Sequence, residues 1–299
     1  MTFHDRERAE HYLRELNYYR LAGYWLRRES DHGSHTFEPG TCFEDVLADY
    51  VFDRELKLLV LDAVERLEVS VRTRWAHVIG INHGSHAHLD STLFCARSQN
   101  WSHPSAVAHL ITVIGQSRDS FVRHYQRYDE LLPPIWVCVE VMSLGQISRW
   151  FSNLRSAADR NDIARGYELD ERLLGSLLHH VTVLRNICAH HGRLWDRKLP
   201  FTAQLPRKHP LALVESLDHG AESSAYNSLS MLGWLLGRIS PAQTWVARVA
   251  NLVSRHPPAA AVLGFPPGFA QRPIWQHTRN GTVSGDGDPS DAPDAASPR

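Results

Sequence analysis

Apolar residues recur at spacings of three and four through most of the chain, and the alternation expected of strands is nearly absent. The clearest stripe is Leu56, Val60, Ala63, Leu67, Val71, Trp75 and Val78, with Glu65, Arg66, Glu68, Arg72 and Arg74 mostly off it. That pattern predicts one long core helix over residues 43–80, straight or kinked. Glu68 and Arg72 stand four apart with the acid first, the favourable order for a helical ion pair. Further helices are predicted over residues 6–16, 105–128, 135–154, 171–191, 222–239 and 241–254. Pro133 and Pro134 lead into one of them. Ser240 and Pro241 offer an N-cap and first-turn proline to another, and Gly192 stands where a cap is needed after 171–191. Loops are predicted at 31–40, 83–103 and 200–219. No repeat at a solenoid period is visible, so the fold class is all-α, a multi-helix bundle in a single domain over residues 1–275. Residues 276–299 are rich in Gly, Pro, Ser, Asp and Ala, and are expected to be disordered.

Composition narrows the partners more than the fold. Hydrophobic residues make up 43% and charged residues 22%, so the bulk of the chain is globular. No run approaches a membrane span and the first residues lack the apolar stretch of a signal peptide, which points to the cytoplasm and to no membrane partner. A net charge of -1 argues against coating of nucleic acid through a broad basic face; any such contact is expected to be local. Arginine greatly outnumbers lysine, which is represented only by Lys57, Lys198 and Lys208. The excess reads first as coding bias, since it runs through all segments alike. Cys42, Cys95, Cys138 and Cys188 show no metal or disulfide spacing and read as reduced thiols.

The stretch LRNICAHHGRLWDRKL, residues 184–199, packs an arginine, an amide and two histidines around a predicted helix end. Those groups suit RNA cleavage without a metal. Histidine takes and gives protons near neutrality, and the guanidinium fork matches phosphate oxygens. The candidate catalytic set is Arg185, Asn186, His190 and His191. Arg185 and His190 are five apart, which on a continuous helix turns them about 140° from each other. They converge only if the helix breaks near Gly192 or if a second copy completes the site. Alone, a histidine in a last turn is equally explained as a partner of the helix dipole.

The frame around that motif resembles the Abi-type proteins of bacterial abortive-infection systems. The resemblance runs through YLRELNYYRLAGYW at 12–25, FEPGTCFEDVLADYVFDRELKLLVLDAVERLEVSVR at 37–72, PPIWVCVEVMSLGQISRWFSNL at 133–154, the 184–199 block, and LGFPPGF and PIW within 263–275. It implies a fold related to the HEPN superfamily, with a core at about 43–200 and additional N- and C-terminal helices. Many members of that superfamily are metal-independent endoribonucleases active as dimers. By the same resemblance Arg185 would bind the scissile phosphate, His190 or His191 would move protons, and Asn186 would orient one of them. Family members usually carry a further helical segment ahead of the NYYR block, whereas this sequence starts shortly upstream of it; either the start codon is misassigned or a segment is missing, and in the second case autoinhibition or partner binding is expected to differ.

Other groups weigh less. Asn17, Tyr18, Tyr19, Arg20, Tyr24 and Trp25, with Arg27 and Arg28, mix rings and guanidinium groups as single-stranded RNA sites do, although a core helix explains the rings as well. Arg193, Arg197, Lys198 and Arg20 are the candidate RNA contacts, and Trp195 is expected to anchor its turn. His83, His86 and His88, with His77, read as a solvated loop rather than a metal site. Glu65 and Glu68 either steady the arginine of the site or pair with nearby arginines. No cofactor and no metal is expected. The expected partners are an RNA substrate, a second copy in a homodimer, and an antitoxin or regulatory RNA. The sequence thus supports an antiphage toxin that cuts RNA by 2′-OH transesterification. The alternative is a noncatalytic RNA-binding or protein-interaction module of phage defence.

Overall fold

A computed structural model describes residues 1–97, 100–125, 127–128 and 130–276; the tail expected to be disordered lies almost wholly outside them. The chain is all-α, as the periodicity predicts. Helices α1 (Arg6–Glu15) and α2 (Tyr18–Trp25) lead to a two-stranded antiparallel hairpin, β1 (Glu29–Asp31) and β2 (Thr36–Phe37). The long helix α3 (Phe43–His83) then runs unbroken for 41 residues. After it come α4 (His103–Gln116), α5 (Ser120–Tyr125), α6 (Ile135–Cys138), α7 (Leu144–Ser152), α8 (Ala157–Arg165) and α9 (Glu171–Ala189). The chain closes with α10 (Leu211–Ser216), α11 (Ala225–Ile239), α12 (Trp245–Arg255), α13 (Pro258–Leu263) and α14 (Pro273–Gln276).

Helix α3 is the axis of the molecule, with α2, α6, α7, α8, α9, α11 and α12 packed around it. Its stripe is buried from Leu56 to Trp75; beyond that Ile79, not the half-buried Val78, faces the core. Glu68 pairs with Arg72 as expected. Burying the six large side chains of that stripe, Leu56, Val60, Leu67, Val71, Trp75 and Ile79, stabilises the helix far more than its intrinsic propensity does, at roughly 1.5–3 kcal/mol each. Tryptophans tie later helices to this axis. Trp75 meets Trp150 of α7 edge-on, and Trp245 of α12 donates its indole N–H to the Leu59 carbonyl.

Several predicted helices break where a side chain captures the backbone. Residues 105–128 divide into α4 and α5 because Ser117 turns extended and bonds to Asp119. Residues 135–154 divide because Met142 is extended and Ser143 opens α7 with a reciprocal capping box to Gln146. Ser240 and Pro241 do not start a helix. Ser240 closes α11 through its N–H to Leu236, and α12 starts only after Thr244. The 200–219 segment contains α10.

The histidine group is solvated only in part: His77 and His83 are exposed, whereas the residues after them turn inward. His83 bonds to Asp159 at 2.9 Å and His86 to Glu130 at 3.3 Å. His88 is fully buried, with its Nε2 3.6 Å from the Cys138 sulfur. Short 3-10 turns at Ala87–Leu89 and Ser91–Leu93 turn these groups inward. All four cysteines are free thiols.

Candidate functional site

Helix α9 ends in a Schellman turn. His190 is the C-cap, and its N–H bonds to the Asn186 carbonyl. His191 adopts the left-handed conformation with φ of 57° and bonds to the Cys188 carbonyl at 3.1 Å, while the Gly192 N–H reaches back to the Ile187 carbonyl at 2.7 Å. The left-handed position therefore belongs to His191, not to Gly192. Glycine is needed at 192 for space, because a Cβ there would stand 3.0 Å from both the Ile187 carbonyl oxygen and its Cγ2. A β-substituted residue in this conformation costs roughly 1 kcal/mol or more, and such strain is characteristic of functional turns.

The turn does not project into solvent but folds back over α2 and α3. The Asp53 carboxylate, fully buried on α3, is the anchor. Its Oδ1 accepts the N–H groups of Leu194 at 3.0 Å and Trp195 at 2.7 Å. Its Oδ2 accepts the Tyr24 hydroxyl at 2.7 Å and pairs with the Lys57 ammonium at 3.0 Å. Burial, and next the Asp53 charge, hold the Tyr24 hydroxyl well above its ordinary pKa, so it remains a donor. One turn earlier, the buried Asp49 accepts from Arg28 at 2.8 Å and from His256 at 2.7 Å. Trp195 is buried against Phe52 and His256, as its anchoring role requires.

Because the turn lies against α2, residues far apart in sequence line one open cleft of about 420 Å³: Asn17, Tyr19, Arg20, Gly23, Tyr24, His191 and Arg193. Arg20 donates to the His191 carbonyl at 3.0 Å. The Arg193 guanidinium lies 5.9 Å from the Tyr24 ring centroid and occupies the space where Gly23 has no side chain; a Cβ there would stand 3.3 Å from its Cδ. Neither Arg20 nor Arg193 has a carboxylate within ion-pair distance among the described residues, and no carboxylate lines the cleft. Tyr19 is 83% exposed at its rim. Two guanidinium groups without an ion-pair partner among the described residues, beside His191 and an exposed ring, are groups of the kind that can hold an anion carrying a flat group.

The remaining predicted residues stand apart from this cleft. Arg185 is half-buried on the last turns of α9 and donates to the Asn186 amide oxygen at 3.2 Å; Asn186 and His190 are exposed. No hydrogen bond joins Arg185 to either histidine among the described residues. Arg197 passes near Gly192, Lys198 is exposed, and Arg27 pairs with Asp196 at 3.5 Å. Glu65 is exposed elsewhere on α3 and Glu68 is held by Arg72, so neither steadies Arg185.

The Asp53–Lys57 anchor was missed from sequence. A signal existed: stepping back from Leu56 by three and four along the apolar stripe leads to Asp53 and Asp49, charged residues on a face that must be buried. Tyr24, Asp53 and Trp195 belong to three separate sequence blocks that the fold joins at one carboxylate. A family model described as Abi-like protein matches residues 11–196, the segment that contains all three. The chain belongs to the Abi-like family. Membership in the Abi-like family places it among proteins of abortive infection, that is, of phage defence. No curated protein and no solved structure matched it. Among the described residues no helix is long and apolar enough to cross a membrane.

Proposed function

We propose that this Abi-like protein is a metal-independent endoribonuclease that halts growth during phage infection by cutting RNA. The reading rests on the cleft in which Arg20, Arg193 and His191 meet without a neutralising carboxylate, beside a helix end that presents Arg185, Asn186 and His190. In this scheme Arg20 and Arg193 bind the backbone of a single strand, and Tyr19 stacks on a base. Arg197 and Lys198 extend that contact along the strand. Arg185, its fork held by Asn186, neutralises the scissile phosphate. An imidazole removes the 2′-OH proton, the O2′ attacks phosphorus, and a second proton donor protonates the departing 5′ oxygen. The products are a 2′,3′-cyclic phosphate and a 5′-hydroxyl. His191 lines the strand-binding cleft and His190 is not among its lining residues, so the two are assigned different roles. His190 acts with Arg185, in a site that a second copy of the chain completes, and His191 acts within the cleft.

The test is to sequence the ends of RNA fragments produced by the purified protein in chelator. Cyclic phosphate and 5′-hydroxyl ends are expected for the wild type, with loss of cleavage in Arg185→Ala and His190→Ala at unchanged helicity. Full cleavage by both variants, or 5′-phosphate ends, would overturn the assignment.

A second reading is a noncatalytic RNA-binding module, favoured by the separation of Arg185 and His190 from the cleft within one chain. It predicts binding without cleavage, weakened by Arg20→Ala and Arg193→Ala and indifferent to His190→Ala. Each arginine lost should lower the salt dependence of binding by about one ion.

A further inference from the structure

The N-terminal segment carries a group of residues that neither the cleft nor α9 uses. Residue 2 runs beside residue 42: the Thr2 N–H bonds to the Thr41 carbonyl at 2.9 Å, and the Phe43 N–H bonds to the Thr2 carbonyl at 3.0 Å. This pairing brings His4 against Cys42 and Glu44 at the start of α3. One ligand atom from each of the three lies within 4.8 Å of the other two. Glu44 is already oriented, because its Oε1 accepts the backbone N–H groups of His4 and Asp5 at 3.0 Å each. Its Oε2 is buried without a hydrogen-bond partner, 3.9 Å from His4 Nδ1. A carboxylate oxygen withdrawn from water without a partner is unfavourable, and a cation at that point would satisfy it.

We infer that His4, Cys42 and Glu44 form a binding site for a zinc-class divalent metal, which fastens the N-terminal segment to α3. The donor chemistry selects the ion. A thiolate and an imidazole favour zinc over magnesium or calcium, which take oxygen, and zinc accepts one carboxylate beside them in a tetrahedral set completed by water. The Sγ–metal bond forms as the thiol proton leaves for solvent, and no electron is transferred. The three side chains come from two segments that the backbone pairing already aligns, so the metal orders little new chain. The site shares no residue with the cleft, and its loss leaves the groups proposed for RNA cleavage in place.

The experiment titrates cobalt(II), then zinc, into the full-length protein after chelator treatment. Expected are one equivalent of cobalt bound with a thiolate-to-cobalt charge-transfer band in the near ultraviolet, its displacement by zinc, and a rise in melting temperature with zinc. Cys42→Ser should abolish the band. His4→Ala, at an exposed position, should weaken zinc binding by at least the ~10–100-fold that loss of an outer partner costs. Cys95→Ser should retain the band. Absence of the band in the wild type, its persistence in Cys42→Ser, or unchanged affinity in His4→Ala would overturn the site and leave a His4–Glu44 ion pair alone.

Discussion

Asp53 is tolerated in the interior because each of its oxygens is met twice, by two backbone N–H groups on one side and by Tyr24 and Lys57 on the other. Asp53→Ala removes the acceptor and leaves Lys57 buried and unpaired, so urea titration should show a loss of about 3–5 kcal/mol. Adding Lys57→Met should recover part of that loss, because the stranded charge goes too. Acid should find a second weak point at His88, whose pKa burial lowers to about 4. Between that value and the ordinary 6.5 the unfolded chain holds the proton that the folded chain refuses. Its contribution is therefore complete above pH 6.5, declines as pH falls towards 4, and is lost below. His180, whose pKa burial also lowers, adds a slope of the same sign. In His88→Leu the dependence of unfolding free energy on pH over this window should flatten, losing on the order of 3 kcal/mol of swing; an unchanged slope would contradict it.

At the scale of elements, α3 and α9 were legible because long apolar stripes leave no alternative to a buried helix. The splits within 105–128 and 135–154 were not, because Ser117 with Asp119 and Ser143 with Gln146 compete locally for the backbone, and an apolar stripe does not register that competition. The end of α9 was legible as an end, but its register was off by one: the glycine signalled the turn, while a histidine takes the left-handed residue. This gives a test with two readouts. His191→Gly relieves the backbone strain and should raise stability by about 0.5–1 kcal/mol, whereas His191→Ala keeps the strain and should leave stability near the wild type. If His191 acts in the cleft, both variants lose RNA cleavage or binding, so the glycine variant is more stable and less active.

For the whole molecule, the matched segment ends at residue 196, yet the core does not. Helices α11 and α12 pack on α3, and Trp245 bonds to a carbonyl in its middle. A chain ending at residue 200 should therefore lose its cooperative urea transition and near-ultraviolet dichroism while keeping much of its helicity; a sharp transition would show that the shorter unit folds alone. The same dependence limited what the sequence revealed about the site. Arg20, His191 and Arg193 were each named as candidates, but nothing in their spacing places Arg20 beside the other two. That proximity is made by Asp53 gathering the N–H groups of Leu194 and Trp195 against the Tyr24 hydroxyl.

One consequence concerns the timing of synthesis. Five of the seven residues lining the cleft are translated within the first two dozen positions and the other two only at 191 and 193, so no shorter nascent fragment possesses the cavity at all. A ribosome making this protein thus meets a complete cleft only after most of the chain has emerged and the α9 turn has docked, so the surface proposed to bind RNA is absent beside the translating machinery until folding is nearly finished.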